Sequence, residues 1–202
     1  MYKHLTKLLI IGLLFTGCKD DSTPIPTVNI SDTEKHELLF LLEEEKLARD
    51  VYEYNYSKYN QSIFNNISSS EAKHMNEVAS LLTSFNISYD YIDLNKRGEF
   101  INTELQELYD QLVGLSDTSY VMGLTVGATI EYLDIKDLAD LKNVTTNSSI
   151  LDVADKLQCG SRNHMRSFTS KLSDEGQTYK AQYITEKELE EILKGNHESC
   201  GG

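Results

Sequence analysis

Tryptophan is missing from this 202-residue chain, and its two prolines, Pro24 and Pro26, both precede residue 27. From there onward every residue keeps its backbone N–H, so helices can run for many turns and a β fold rich in turns is disfavoured. Cysteine is equally sparse: Cys18, Cys159 and Cys200, with no CxxC pair. That spacing excludes a zinc ribbon or a rubredoxin-type iron site. Basic residues are outnumbered, 19 against 32 acidic ones, for a formal net charge of −13. The balance argues against nucleic acid as a partner, because phosphate would be repelled. What remains, 40% hydrophobic and 25% charged residues, suits one globular domain with a sizeable core.

The one long apolar run, Leu8 to Phe15, is too short to span a bilayer. Lys3 and Lys7 precede it and Thr16-Gly17-Cys18 follow, the pattern of a signal peptide. Phe15-Thr-Gly-Cys18 resembles the end of a bacterial lipoprotein signal, which implies that Cys18 becomes the lipidated first residue. Lys19-Asp20-Asp21 is similar to the surface-export signals of some Bacteroidetes lipoproteins. The expected organisation is a signal peptide over 1–17, a tether over 18–30, a helical domain over 31–175 and a short helix with tail over 176–202. The membrane, reached through Cys18, is then a partner, and the location is the cell envelope, at the outer membrane or cell surface. An ordinary cleaved secretory signal is the alternative. In an oxidising compartment Cys159 and Cys200 can pair and pin the tail, or stay free; the sequence leaves both open.

Within the domain, Ser31 and Glu34 form a capping box that starts a first helix. Its apolar stripe is Leu38, Leu41, Glu45, Ala48, Tyr52 and Tyr56, with Glu43, Glu44 and Lys46 read as solvated positions. Asn60 and Gln61 turn the chain into a second helix whose stripe is Phe64, Ile67, Glu71, His74, Val78, Leu81 and Phe85. From Asn86 to Ser116 the pattern loosens around a short helix, Glu104 to Leu112, capped by Asn102-Thr103. A connection of about thirty residues can cross the full length of a helical bundle, which predicts parallel second and third long helices. The third runs from near Asp117 to near Leu141 with Val121, Leu124, Ala128, Glu131, Ile135 and Leu138 on one face and Asp134 close to Glu131. The fourth, capped by Ser148 or Ser149, aligns Leu151, Ala154, Leu157, Ser161, His164, Phe168 and Leu172. A last short helix follows Thr185 and ends near Leu193. The fold class is therefore all-α.

Glu45, Glu71, His74, Glu131, Asp134 and His164 interrupt or flank four stripes that should be buried. Burying such groups costs several kcal/mol or more unless something compensates them. Carboxylates facing one another in a dry core would repel and hold protons; a cation reverses that preference. Oxygen-rich ligands with one or two imidazoles suit iron or manganese better than structural zinc.

Glu45-Lys-Leu-Ala48-Arg49-Asp-Val-Tyr52 resembles the first-helix ExxAR..Y stretch of rubrerythrin-type ferritin-like proteins, and Glu71-Ala-Lys-His74 their second-helix ExxH. Glu131 and His164 are similar to their third- and fourth-helix ligands. The region from about Glu34 to Leu172 resembles more closely an uncharacterised bacterial and archaeal ferritin-like family, through EEEKLARDVY, SEAKHM, Ile130-Glu131-Tyr132-Leu133-Asp134-Ile135 and Ser161-Arg162-Asn163-His164. The resemblance implies a ferritin-like four-helix bundle with a dinuclear iron or manganese cofactor that reacts with dioxygen or peroxide. In it Glu71 would bridge, Glu45 and Glu131 would be terminal ligands, and His74 and His164 would each bind one metal. Ser161 stands where di-iron members carry a glutamate, and Asp134 is the replacement or supporting carboxylate. Electrons would come from an external donor, and a homodimer is compatible with the sequence. The competing expectations are a non-catalytic tethered bundle and a metal-sequestering or sensing protein.

Overall fold

In the computed structural model, residues 30–180 and 185–200 are described. The expected signal peptide, the lipidated Cys18 and the tether up to residue 29 lie outside them. The described residues form six helices and no strand: α1 Asp32–Tyr59, α2 Ser62–Ser84, α3 Thr103–Ser116, α4 Tyr120–Val144, α5 Ser148–Asp174 and α6 Glu186–Lys194. None of these helices is long and apolar enough to cross a membrane.

Local chemistry sets the boundaries. The Ser31 side chain accepts from Glu34 N and the Glu34 carboxylate accepts from Ser31 N, so two orphan donors at the start of α1 are satisfied together. Asn60 stops α1 in the left-handed conformation at φ 50°, a geometry that asparagine tolerates. Only Asn60 and Gln61 separate α1 from α2, so the two pack as an antiparallel pair. α4 begins at Tyr120, three residues later than Asp117, because Ser119 caps it by accepting from Met122 N. Asn147, and not Ser148 or Ser149, caps α5 by accepting from Ser149 N. α3 is also longer than expected, continuing past Leu112 to Ser116.

α4 and α5 form the second antiparallel pair, and α1 packs on α4 while α2 packs on α5. Two distant hydrogen bonds give the direction of α4. Thr145, just past its C-terminus, donates to Glu34 at the start of α1, whereas Tyr59 at the end of α1 donates to the Ser116 carbonyl, just before α4. α4 is therefore antiparallel to α1 and parallel to α2, and residues 85–119 cross the length of the molecule.

That crossing covers a face of α1 that its sequence presents as solvent-facing. Glu43 and Lys46 are 4% and 0% exposed. The Glu43 carboxylate accepts from the backbone N–H of Ile101 and Asn102. Lys46 Nζ donates to Asp50 Oδ2 (2.6 Å) and to the Lys96 carbonyl (2.7 Å), and sits 4.3 Å from the centre of the Phe100 ring. Arg49 completes the cluster on Asp50 and also binds the Leu94 carbonyl. The expected solvated positions are thus wrong for Glu43 and Lys46, because the crossover's backbone needs partners and these side chains supply them. Tyr56, expected on the buried stripe, is 37% exposed.

The apolar interior is divided in two. One cluster gathers Ala48, Tyr52, Phe64, Leu124, Ala128 and Phe168; the other gathers Leu42, Val78, Leu82, Leu138, Ile150 and Leu157. On each long helix the boundary between clusters falls at the ionisable residue of the stripe. The polar groups therefore share one layer at mid-depth, with packed hydrocarbon above and below.

Candidate metal centre

Each long helix contributes to that layer. Glu45 (α1), Glu71 (α2) and Glu131 (α4) are each 2% exposed, and the imidazoles of His74 and His164 are each 12% exposed. Glu71 lies between the two histidines. Its Oε2 is 2.6 Å from His74 Nδ1, and its Oε1 is 2.7 Å from His164 Nδ1. Glu45 Oε2 approaches His74 Nδ1 at 3.4 Å, and Glu131 Oε2 approaches His164 Nδ1 at 3.3 Å. The rings are stacked, 5.6 Å apart at 28°.

These approaches form two ligand-like triplets that share Glu71: Glu45–Glu71–His74 and Glu71–Glu131–His164. In each, one N or O atom per residue lies within 4.8 Å of the others. Short distance does not make most of them hydrogen bonds. Glu45 Oε1, Glu71 Oε1 and His74 Nδ1 are buried and lack a partner in hydrogen-bonding geometry. A buried polar atom without a partner costs about 1–3 kcal/mol, so this grouping is expensive as it stands. A donor set of carboxylate oxygens and imidazole nitrogens converging on one region fits a transition-metal ion.

Electrostatics point the same way. Burial pushes the Glu45 carboxyl up to about 7, with the Glu71 charge adding to the rise and His74 opposing it. Burial likewise raises Glu131 to about 7, against the pull of His164 and of the Tyr52 hydroxyl. For Glu71 burial also acts upward, but the two imidazoliums outweigh it and hold the carboxyl well below its usual range. Burial alone would lower both histidines; the carboxylates of Glu71 and Glu45 carry His74 up to about 12, and Glu71 with Glu131 carries His164 to about 10. Three carboxyls thus share two imidazoles, and among the described residues no lysine or arginine forms an ion pair with them.

Asp134 stands beside these five residues and belongs to neither triplet. Its Oδ2 accepts from Ser161 Oγ, while Oδ1 has no hydrogen-bond partner. Burial and the charge of Glu45 raise its carboxyl well above the ordinary value. Ser161, in the position of the expected fourth-helix carboxylate, instead bonds Asp134 and the Leu157 carbonyl.

Two supporting residues emerge from the geometry. The Tyr52 hydroxyl donates to Glu131 Oε1 at 2.6 Å and so orients that carboxylate. Gly160 lies against the His74 ring: a Cβ there would come within 2.7 Å of both Cε1 and Nε2. Tyrosines are too common in the chain for Tyr52 to stand out, although its place on the α1 stripe was a signal. A lone helical glycine gave none.

On the outer side of α5, Cys159 and Cys200 form a disulfide that spans 41 residues. Arg162, Asn163 and Arg166 hold the Glu198 region of the tail beside it. Arg162 and Asn163 thus bind the tail and do not bridge the long helices. His36 and His197 are exposed, away from the centre.

The fold and this layer define an all-helical protein with a buried carboxylate–histidine centre. The chain belongs to the family described as "Uncharacterized protein domain (DUF2202)", whose model matches residues 34–196. It is 46% identical over 174 residues to "Uncharacterized protein MJ0754" of Methanocaldococcus jannaschii, covering 86% of this chain and 94% of that one. The crystal structure of hypothetical protein MJ0754 superposes with a TM-score of 0.82 at 46% identity, covering 84% of this chain and 97% of the other.

Proposed function

We propose that this protein is a ferritin-like four-helix bundle holding two metal ions, iron or manganese, on Glu45, Glu71, His74, Glu131 and His164. One observation carries the reading: the two oxygens of the Glu71 carboxylate face different histidines, each backed by its own second glutamate. A carboxylate used in that way serves two cations better than one. Glu71 would bridge, Glu45 with His74 would hold one ion, and Glu131 with His164 the other. Asp134 is a supporting carboxylate, hydrogen-bonded through Ser161. Two antiparallel helix pairs joined by a long crossover, with the polar layer at mid-depth, support the bundle assignment.

When bound, such a pair would supply the electrons that reduce dioxygen or peroxide. The chain's own residues prepare the place. Apolar clusters on both sides exclude bulk water, Tyr52 fixes the Glu131 carboxylate, and the missing side chain at Gly160 lets the His74 ring sit in its slot. An external molecule would donate those electrons. Lipidation at Cys18 would place this chemistry at the cell envelope; the sequence pattern alone supports it, and Cys18→Ala should release the protein from the membrane fraction.

Elemental analysis of protein purified without chelator tests the assignment. About two iron or manganese ions per chain are expected, with a rise in melting temperature on metal addition. Fewer than about 0.2 per chain and an unchanged melting temperature would favour a second reading, a metal-free bundle. That reading rests on the partial compensation of Glu71 by His74 and His164.

A further inference from the structure

The centre is not equally closed on all sides. Its histidines lie toward α2 and α5, where Gly160 packs on the His74 ring. On the opposite side, toward α1, α3 and α4, five acidic residues, Glu44, Glu45, Glu71, Glu131 and Asp134, line a cavity of about 20 Å³. That is room for about one water-sized molecule. The rest of the wall is mostly hydrocarbon, with Leu105 and Leu108 of α3 facing Ile130 and Leu133 of α4. Leu105 is 2% exposed and closes the inner part; Leu108 is half-buried and stands nearer the surface. No lysine, arginine, histidine or amide side chain lines the space.

These walls are selective by simple physics. An anion entering the cavity would meet carboxylates and no cationic group, and burying an unpaired charge is prohibitive. A bulky molecule would have to displace close-packed leucines. A small uncharged oxidant meets neither barrier.

We propose that α3 is the selectivity element of this centre, with Leu105 and Leu108 forming a size filter. It admits a small uncharged oxidant, dioxygen or hydrogen peroxide, to the carboxylate side and excludes anions and organic hydroperoxides. The inference rests on the di-metal reading above and adds the direction of approach and the residues that set the limit. α3 lies within the crossover between α2 and α4, and the buried Glu43, Lys46, Arg49 and Asp50 contacts anchor the segment just before it. The filter therefore rests on a fixed element and not on a loose loop.

Two measurements test the filter. In crystals pressurised with krypton, an apolar probe that needs no metal, the wild type should show an anomalous peak between Leu105, Leu108 and Ile130. In the reduced, iron-loaded protein, stopped-flow rates with cumene hydroperoxide and hydrogen peroxide give a selectivity ratio. Leu108→Ala should shift that ratio at least tenfold toward the bulky peroxide, with metal content and melting temperature unchanged. Absence of krypton from the cavity would overturn the proposal, as would a ratio within twofold of wild type in a folded, metal-loaded variant. Failure of the wild type to take up metal would instead overturn the di-metal reading, and this inference with it.

Discussion

Two buried charge clusters lie close together on α1, and they differ in completeness. Around Asp50 the buried polar atoms all have partners: Oδ1 accepts from Arg49 Nε and Nη2, and Oδ2 accepts from Lys46 Nζ and Gly98 N. The cations also reach the Lys96 and Leu94 carbonyls. Around Glu45, five residues earlier and on another face of α1, three carboxyls share two imidazoles, and buried oxygens lack hydrogen-bond partners. The first cluster fastens the crossover to α1. The second is short of positive charge. Burial of ionisable residues does not by itself mark a functional site; buried polar atoms that the chain leaves without partners are the stronger sign.

The largest expected contrast comes from Glu71→Gln. Metal content should fall from about two per chain to below about 0.2, because the shared carboxylate serves both triplets. Retention of two tightly bound ions, measured by elemental analysis after gel filtration, would remove Glu71 from the centre. At the other cluster, Asp50→Ala should leave metal content intact and cost about 3–5 kcal/mol in denaturant unfolding, since Lys46 and Arg49 lose their shared anion while buried. Glu45→Gln in metal-free protein should cost far less, because burial already pushes that carboxyl up to about 7 and its charge adds little. Equal losses for Asp50→Ala and Glu45→Gln would erase the distinction between the clusters.

Gly160→Ala sharpens the comparison through opposing signs. Alanine favours a helix by about 1 kcal/mol over glycine, yet its Cβ would strike the His74 ring. Unchanged or raised stability of the metal-free protein, with metal affinity about tenfold weaker, is the expected pair of results. The smallest effect is at the tail. Arg162 pulls the Glu198 carboxyl down to about 2, with Arg166 helping against a small burial penalty. Its folded value lies below its ordinary one, so its stabilising contribution is complete above about pH 4.5 and is lost as pH falls toward 2. Hydrogen exchange of residues 195–200, with the disulfide reduced, should accelerate over that interval and not between pH 6 and 8.

Much of this arrangement is legible in the chain itself. Glu45, Glu71, His74, Glu131 and His164 stand out because helical periodicity assigns their positions to buried faces, where ionisable groups need a reason to be. Glu43 and Lys46 are not legible: beside Glu44 and Glu45 they look like a solvated run, and only the crossover, a long-range feature, explains their burial. Gly160 is silent because its role is to leave space for a ring on another helix. The pairing of Cys159 with Cys200 depends on where the tail lies, which spacing alone leaves open. Helix ends shifted by a few residues where Ser119 and Asn147 captured the caps in place of their neighbours.

The most direct measurement is anomalous diffraction from a metal-soaked crystal, collected above and below the iron and manganese absorption edges. Two peaks flanking the Glu71 carboxylate, one beside His74 and one beside His164, are predicted. Well-ordered glutamates and histidines with no anomalous density between them, at full metal occupancy elsewhere or none, would contradict the account.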